Sequence, residues 1–268
     1  MAELLTLDTD KMIAEKDGPI GWMTFNNPAR HNATSVGMWE AIPQIVDAYE
    51  RDPAIRVIVL KGAGEKAFVA GADISEFETA RSNADQVARY EQLADGATER
   101  LAKAAKPTIA MVRGYCIGGG LGIALACDLR IASDNSKFAV PAAKLGLGYR
   151  AAGIKKLVNV VGASFAKEIF YTARQFTATE AIAMGLINRA VPEAELESYV
   201  RDTCATIAQN APLTILAVKR TVEELSKLSG EPDLARCEKL VMDCFGSQDY
   251  VEGRRAFMEK RKPAFRGR

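Results

Sequence analysis

The first half of the chain alternates two kinds of segment. Short apolar runs bounded by glycine, proline or charge occur at residues 19–25 (PIGWMTF), 56–60 (RVIVL), 108–112 (TIAMV) and 129–132 (LRIA), and predict strands. Between them, residues 36–49 and 86–105 repeat apolar side chains at three- and four-residue spacing and predict helices. Strands that alternate with helices imply an α/β fold whose sheets are largely buried.

After Pro141 the pattern changes. Residues 153–161, 165–171, 178–184, 196–209, 213–227, 233–245 and 249–260 all suit helices, and only residues 186–191 look like another strand. No low-complexity linker separates the halves and no repeat of 20 to 50 residues is visible, so one continuous domain with a C-terminal helical layer is expected.

Composition narrows the function classes. The 35 basic and 34 acidic residues among 268 leave a net charge of +1, which exerts no global pull toward nucleic acid or an anionic membrane. A single histidine, His31, rules out schemes needing two, including most catalytic zinc sites, and leaves a Ser-His-Asp triad one candidate with no serine nucleophile elbow beside it. The five cysteines contain no C-x-x-C pair and read as reduced, buried small hydrophobes. The first 18 residues are interrupted by acids and read as no leader, while the most apolar run, residues 115–127, is too short to span a bilayer. A cytoplasmic protein is expected.

Three glycine clusters follow strand-like runs. Residues 62–67 (GAGEKA) formally satisfy G-x-G-x-x-A, but FVAGAD follows where a dinucleotide fold needs a helix, so a plain turn is the better reading; no G-K-[ST] of a phosphate loop occurs. The second cluster is AFVAGADI (67–74). In the third, GYCIGGGLGIALACD (114–128), three glycines precede an Ala/Leu-rich helix. That places unshielded N–H groups at a helix N-terminus, suited either to holding an oxyanion or simply to a tight strand-to-helix turn.

Taken in order, NNPARHNA (26–33), AFVAGADISEF (67–77), KPTIAMVRGYCIGGGLGIALACD (106–128), KFAVPAAKLGLG (137–148), FTATEAIAMGLINRAVP (176–192) and SQDYVEGRRAFMEKRKPAF (247–265) resemble the crotonase superfamily, the enoyl-CoA hydratase/isomerase family, over nearly the whole chain. The resemblance implies a spiral of ββα units over residues 1–205 and a helical oligomerisation region over 206–268, assembling as homotrimers or dimers of trimers. It also implies an acyl-CoA thioester substrate, with coenzyme A belonging to the substrate, no separate cofactor, no metal, no nucleic acid and no membrane partner.

By the same resemblance, the thioester oxygen sits between the backbone N–H groups of Ala72 and Gly119. Ala70, Gly71, Asp73, Ile74 and Gly118 flank them along the substrate. Arg30 and the basic tail Lys260, Arg261 and Lys262 are the candidate partners of the anionic coenzyme, with a solvated tail as the plainer alternative. Such donors suit a thioester enolate, whose charge gathers on one oxygen, and each contributes roughly 2.7–4 kcal/mol in acyl-transfer sites.

The sequence departs from the family at the acids. Hydratases carry one carboxylate after the glycine triplet and another after the proline of F-x-x-P-E; here those positions are Gly122 and Ala142, which can neither give nor take a proton. Residues 141–150 (PAAKLGLGYR) resemble instead the methylmalonyl-CoA decarboxylase branch, in which a tyrosine at the position of Tyr149 lies in the active site, although that branch keeps an acid at the position of Gly122. Loss of CO2 generates an enolate without a general base, and Arg150 is placed to attract a malonyl carboxylate. Three readings therefore stand: an enolate-stabilising decarboxylase, a hydratase or isomerase with Glu76 or Tyr149 as substitute acid, and a non-catalytic thioester-binding protein.

Overall fold

The structure, a computed structural model, describes residues 3–73, 84–227 and 230–268. Its strands are β1 (Glu3–Leu4), β2 (Met12–Asp17), β3 (Ile20–Phe25), β4 (Val57–Gly62), β5 (Ala67–Val69), β6 (Thr108–Val112), β7 (Tyr115–Ile117), β8 (Leu129–Ser133), β9 (Lys137–Ala139), β10 (Phe176–Thr177) and β11 (Arg189–Val191). The described α-helices are α1 (Val36–Arg51), α2 (Ala84–Ala102), α3 (Gly119–Ala126), α4 (Ala151–Thr172), α5 (Ala178–Ala183), α6 (Leu196–Ala208), α7 (Pro212–Leu225), α8 (Leu234–Phe245) and α9 (Gln248–Met258).

Two sheets form. The larger runs β1-β2-β3-β4-β6-β8-β11, antiparallel up to β3 and parallel thereafter; the smaller runs β10-β9-β7-β5, with β5, β7 and β9 parallel. Successive units β4-β5-α2, β6-β7-α3 and β8-β9-α4 each place one strand in each sheet, the ββα winding the sequence implied.

The larger sheet is covered on both faces, which explains its continuous apolar runs. Met23, Phe25, Ile58, Leu60, Ala110 and Val112 face one core with α1 and α2, while Ile20, Trp22, Val57, Val59, Ile109 and Met111 face another closed by Leu196, Val200 and Cys204 of α6. The strands of the smaller sheet have two or three residues each, too few for a sequence period, and β5 and β7 lie inside what reads as glycine clusters. The two helices expected over 153–171 are both present within α4 and meet at a kink at Gly162, whose φ of 74° and ψ of 168° are non-helical. Of the strand expected at 186–191 only β11 pairs, Leu186 and Ile187 being buried in the turn before it. Among the described residues no helix is long and apolar enough to cross a membrane.

Candidate active site

The glycine loops meet at the C-terminal ends of β5 and β7. A methyl group on Gly118 would lie 3.9 Å from the Gly71 Cα, and one on Gly71 would lie 3.8 Å from the Ile117 carbonyl, so the loops run in contact. Gly120 permits this approach: a Cβ there would stand 2.1 Å from the Val69 carbonyl oxygen, a distance no side chain tolerates.

Both donor amides are aimed by what holds the other end of their peptide. Thr34 N–H donates to the Gly71 carbonyl at 2.8 Å and Asp73 N–H donates to the Thr34 carbonyl at 2.9 Å. A trans peptide points its C=O and N–H in opposite directions, so Ala72 N–H faces away from Thr34. Likewise Gly122 N–H donates to the Gly118 carbonyl at 3.1 Å, leaving Gly119 N–H to project from the first turn of α3, where the helix dipole favours negative charge. Among the described residues neither amide has a protein acceptor. Two unpaired donors on touching loops can bind one oxyanion.

The turn carrying Arg30 docks against the first loop. Asn32 is fully buried; its Oδ1 accepts from Asn27 N–H at 3.0 Å, and its Nδ2 donates to the Ala63 and Ala67 carbonyls at 2.9 and 2.8 Å. Ala70 N–H donates to the His31 carbonyl at 3.1 Å, which brings Arg30, exposed and without an ion pair among the described residues, alongside the loop. His31 has a left-handed backbone and packs edge-on to Tyr115 at 6.2 Å between ring centroids, and no described hydroxyl or carboxylate hydrogen-bonds it, so no triad forms around it.

Ala70, Gly71, Ala72, Asp73, Gly118 and Gly119 are thus gathered in one place. Ile74 and Glu76 lie outside the described residues. Lys262 is exposed in the tail after α9; that tail docks through the Phe265 carbonyl, which accepts from Arg56 at the N-terminal end of β4, the far end of that strand from the Gly71 loop. Arg261 is held by Glu252 and Glu259, both at 2.6 Å.

Tyr149 precedes α4, its ring edge-on to Phe170 at 4.9 Å and packed against the main core. Gly153 makes room for it, since a Cβ there would stand 2.8 Å from the ring. Burial, and secondarily the charges of Asp95 and Glu91, raise its hydroxyl above the ordinary tyrosine value, so it stays protonated at neutral pH. Arg150 differs from expectation: it is engaged by Glu91 at 2.9 Å and Asp95 at 3.0 Å, so it does not offer a free cation to a substrate carboxylate.

At the two positions of the missing acids, Gly122 is half-buried with no described atom within 4 Å of where a Cβ would be, and Ala142 is buried. Sequence reasoning missed Thr34, Trp39 and Tyr90, a buried polar group behind the Gly71 loop; the only available signal was two large aromatics, each on an otherwise ordinary helix face.

The chain is similar to known proteins of one family. The family model described as Enoyl-CoA hydratase/isomerase matches residues 15–268. A short-chain-enoyl-CoA hydratase of Clostridium acetobutylicum is 33% identical over 256 residues, covering 96% of this chain and 97% of that protein. A crotonyl-CoA hydratase of Syntrophomonas wolfei is 33% identical over 260 residues, covering 96% and 98%. Among solved structures, an enoyl-CoA hydratase/carnithine racemase from Magnetospirillum magneticum superposes with a TM-score of 0.90 at 34% identity, covering 97% of each chain. An enoyl-CoA hydratase/isomerase family protein from Hyphomonas neptunium superposes with a TM-score of 0.92 at 36% identity, covering 96% of this chain and 98% of that one.

Proposed function

Because the chain belongs to the enoyl-CoA hydratase/isomerase family, we propose that it binds an acyl-CoA thioester with the carbonyl oxygen between Ala72 N–H and Gly119 N–H and stabilises the enolate that forms there. The observation that carries this reading is the pair of unpaired amides on touching loops, each aimed by a hydrogen bond to the carbonyl of its own peptide. Arg30 lies beside the loop to meet the coenzyme's phosphates, and Ile74 continues the substrate-binding segment.

Gly122 and Ala142 supply no proton, so the usual addition of water lacks its acid and base. Tyr149 is the side chain we assign to protonate the α-carbon. In hydration with Tyr149 as the acid, the oxygen of water bonds to the β-carbon as the alkene π pair becomes the enolate, and the proton of that water passes to solvent. The Tyr149 hydroxyl proton passes to the α-carbon as the enolate pair forms the new C–H bond, and solvent reprotonates the phenolate.

A second reading, decarboxylation of a malonyl-type thioester, is favoured by the same missing acids. The bond between the α-carbon and the carboxylate breaks, its electron pair becomes the enolate, CO2 leaves and Tyr149 protonates carbon. No base is needed, and the absence of carboxylates at residues 122 and 142 removes repulsion against the substrate's own.

We further propose a homotrimer or dimer of trimers, supported by the exposed apolar side chains Val218, Val222, Val251, Phe257 and Met258 on α7 and α9. The Lys262 contact to coenzyme A is then assigned to a neighbouring copy, since within one chain the tail docks at the other end of β4. Sedimentation as a monomer overturns the assembly.

Mass-spectrometric turnover of crotonyl-, malonyl-, methylmalonyl- and ethylmalonyl-CoA tests the reaction. Hydration of crotonyl-CoA selects the hydratase reading, CO2 loss the decarboxylase reading, and tight binding with no turnover of any thioester a non-catalytic binder.

A further inference from the structure

Behind the Gly71 loop lies a chain of hydrogen bonds that the chemistry above does not itself use. Trp39 Nε1–H, from α1, donates to the Tyr90 hydroxyl of α2 at 2.8 Å, the two rings meeting edge-on at 6.5 Å. The Tyr90 hydroxyl lies 3.5 Å from Thr34 Oγ1, and Thr34 Oγ1–H donates to the Gly71 carbonyl at 3.3 Å. An indole nitrogen only donates and a carbonyl only accepts, so the arrangement that satisfies every link runs one way: Trp39 to Tyr90 to Thr34 to Gly71. All three side chains are buried, with 4%, 4% and 1% of their surface exposed.

The chain ends on the carbonyl whose peptide partner is Ala72 N–H. Gly71 has a φ of +112°, a conformation L side chains rarely adopt, and glycine's freedom leaves this peptide open to rotation unless something holds it. A rotated peptide would present its carbonyl oxygen to the substrate oxygen and repel it. Two bonds from Thr34, its N–H at 2.8 Å and its hydroxyl at 3.3 Å, oppose that rotation. Hydrogen bonds accepted by a peptide carbonyl also polarise the same peptide's N–H. The cluster reaches the second donor too, because a Cβ on Gly119 would lie 3.8 Å from Trp39 Cζ2 and 3.9 Å from Thr34 Oγ1.

We propose that Thr34, Trp39 and Tyr90 are positioning residues that aim and polarise the Ala72 N–H through the Gly71 carbonyl. This rests on the acyl-CoA reading above. The hydroxyl links are longer than the strongest O–H···O bonds, so removing one weakens the donor without abolishing it.

The test is isotope-edited infrared spectroscopy of butyryl-CoA labelled with 13C at the thioester carbonyl, bound to the wild type and to Tyr90→Phe, Trp39→Phe, Thr34→Val and Thr34→Ser. Binding is expected to lower the carbonyl stretch in the wild type. Tyr90→Phe and Thr34→Val should bind butyryl-CoA and show a lowering reduced by roughly 10–30%, the cooperative strengthening of one link, while Thr34→Ser restores the wild-type value. Folded variants that bind the thioester with the full wild-type shift overturn the positioning role alone. A wild-type complex with an unshifted carbonyl overturns the oxyanion site and this inference with it.

Discussion

Lys219 of α7 donates to Asp128 Oδ2 at 2.8 Å, joining the C-terminal helices to the residue just before β8. Only 6% of the Lys219 side chain is exposed, and it also donates to the Lys106 carbonyl at 3.2 Å. The same Asp128 oxygen accepts from Thr108 N–H at 2.8 Å and from its hydroxyl at 3.0 Å. Lys219→Ala removes the buried ammonium and leaves a third-exposed carboxylate and the half-buried Lys106 carbonyl short of a donor. The variant is expected to lose about 1.5–3 kcal/mol, the range for lost hydrogen bonds to a charged group, read as a lower urea midpoint.

Two glycines of one helix should respond in opposite directions. Gly120→Ala drives a Cβ into the Val69 carbonyl and is expected to cost about 1–3 kcal/mol, with loss of thioester binding as the Gly119 amide shifts. Gly122→Ala meets no described atom and removes a flexible residue from the helix, a gain of about 0.5–1 kcal/mol. Thermal unfolding and titration with butyryl-CoA check both.

Restoring the acids should restore hydration. Gly122→Glu has room among the described residues, whereas Ala142→Glu enters a buried position and is expected to lower the melting temperature. The double variant is expected to hydrate crotonyl-CoA about 10²-fold faster than the wild type, followed by loss of the enoyl-thioester chromophore. An unchanged rate means the missing carboxylates are not what limits hydration.

Tyr149→Phe is expected to reduce turnover about 10²-fold with little change in thioester binding, as for loss of a proton donor. Burial, then Asp95 and Glu91, raise the Tyr149 hydroxyl above 10.0. The protonated form therefore persists past that value, and the rate should stay level from pH 7 to 10 and fall only above it. Asp95→Asn should move that limb toward lower pH. A limb that stays in place separates the proton donor from this tyrosine.

Alkaline stability follows from the thiols. Burial pushes Cys127 and Cys204 up to about 12 and raises Cys116 further, against an ordinary value of 9.0. Raised folded values mean that the folded state keeps its protons where the unfolded chain releases them. Stability is therefore complete below pH 9 and declines as pH climbs from there to 12, by about 1.4 kcal/mol per pH unit for each thiol. Urea midpoints at pH 7 and 8 should coincide, and those at pH 9 and 10 should drop progressively.

How much was legible in the sequence depended on length and chemistry. The strands of the larger sheet, such as Ile20–Phe25 and Val57–Gly62, announce themselves because burial on both faces demands unbroken apolar runs. Ala67–Val69 and Tyr115–Ile117 do not, since three residues hold no period and glycines crowd around them. The donors proposed at Ala72 and Gly119 are pointed to in the sequence only by the family motifs, because a main-chain N–H leaves no mark in residue type. Their support was not legible: a threonine just before α1 and a tryptophan in its first turn meet a tyrosine more than fifty residues further on only after folding. The fork of Arg150 to Glu91 and Asp95 was hidden for the same reason, its partners lying more than fifty residues upstream.

Because the oxygen-binding groups proposed above are peptide amides, no single amino-acid replacement can delete them without disturbing the turn that carries them. Positions 122, 142 and 149, by contrast, are ordinary side chains that one substitution can rewrite. A lineage built on this scaffold can therefore exchange one reaction for another while its grip on thioesters is inherited intact, so chemistry drifts and the socket persists.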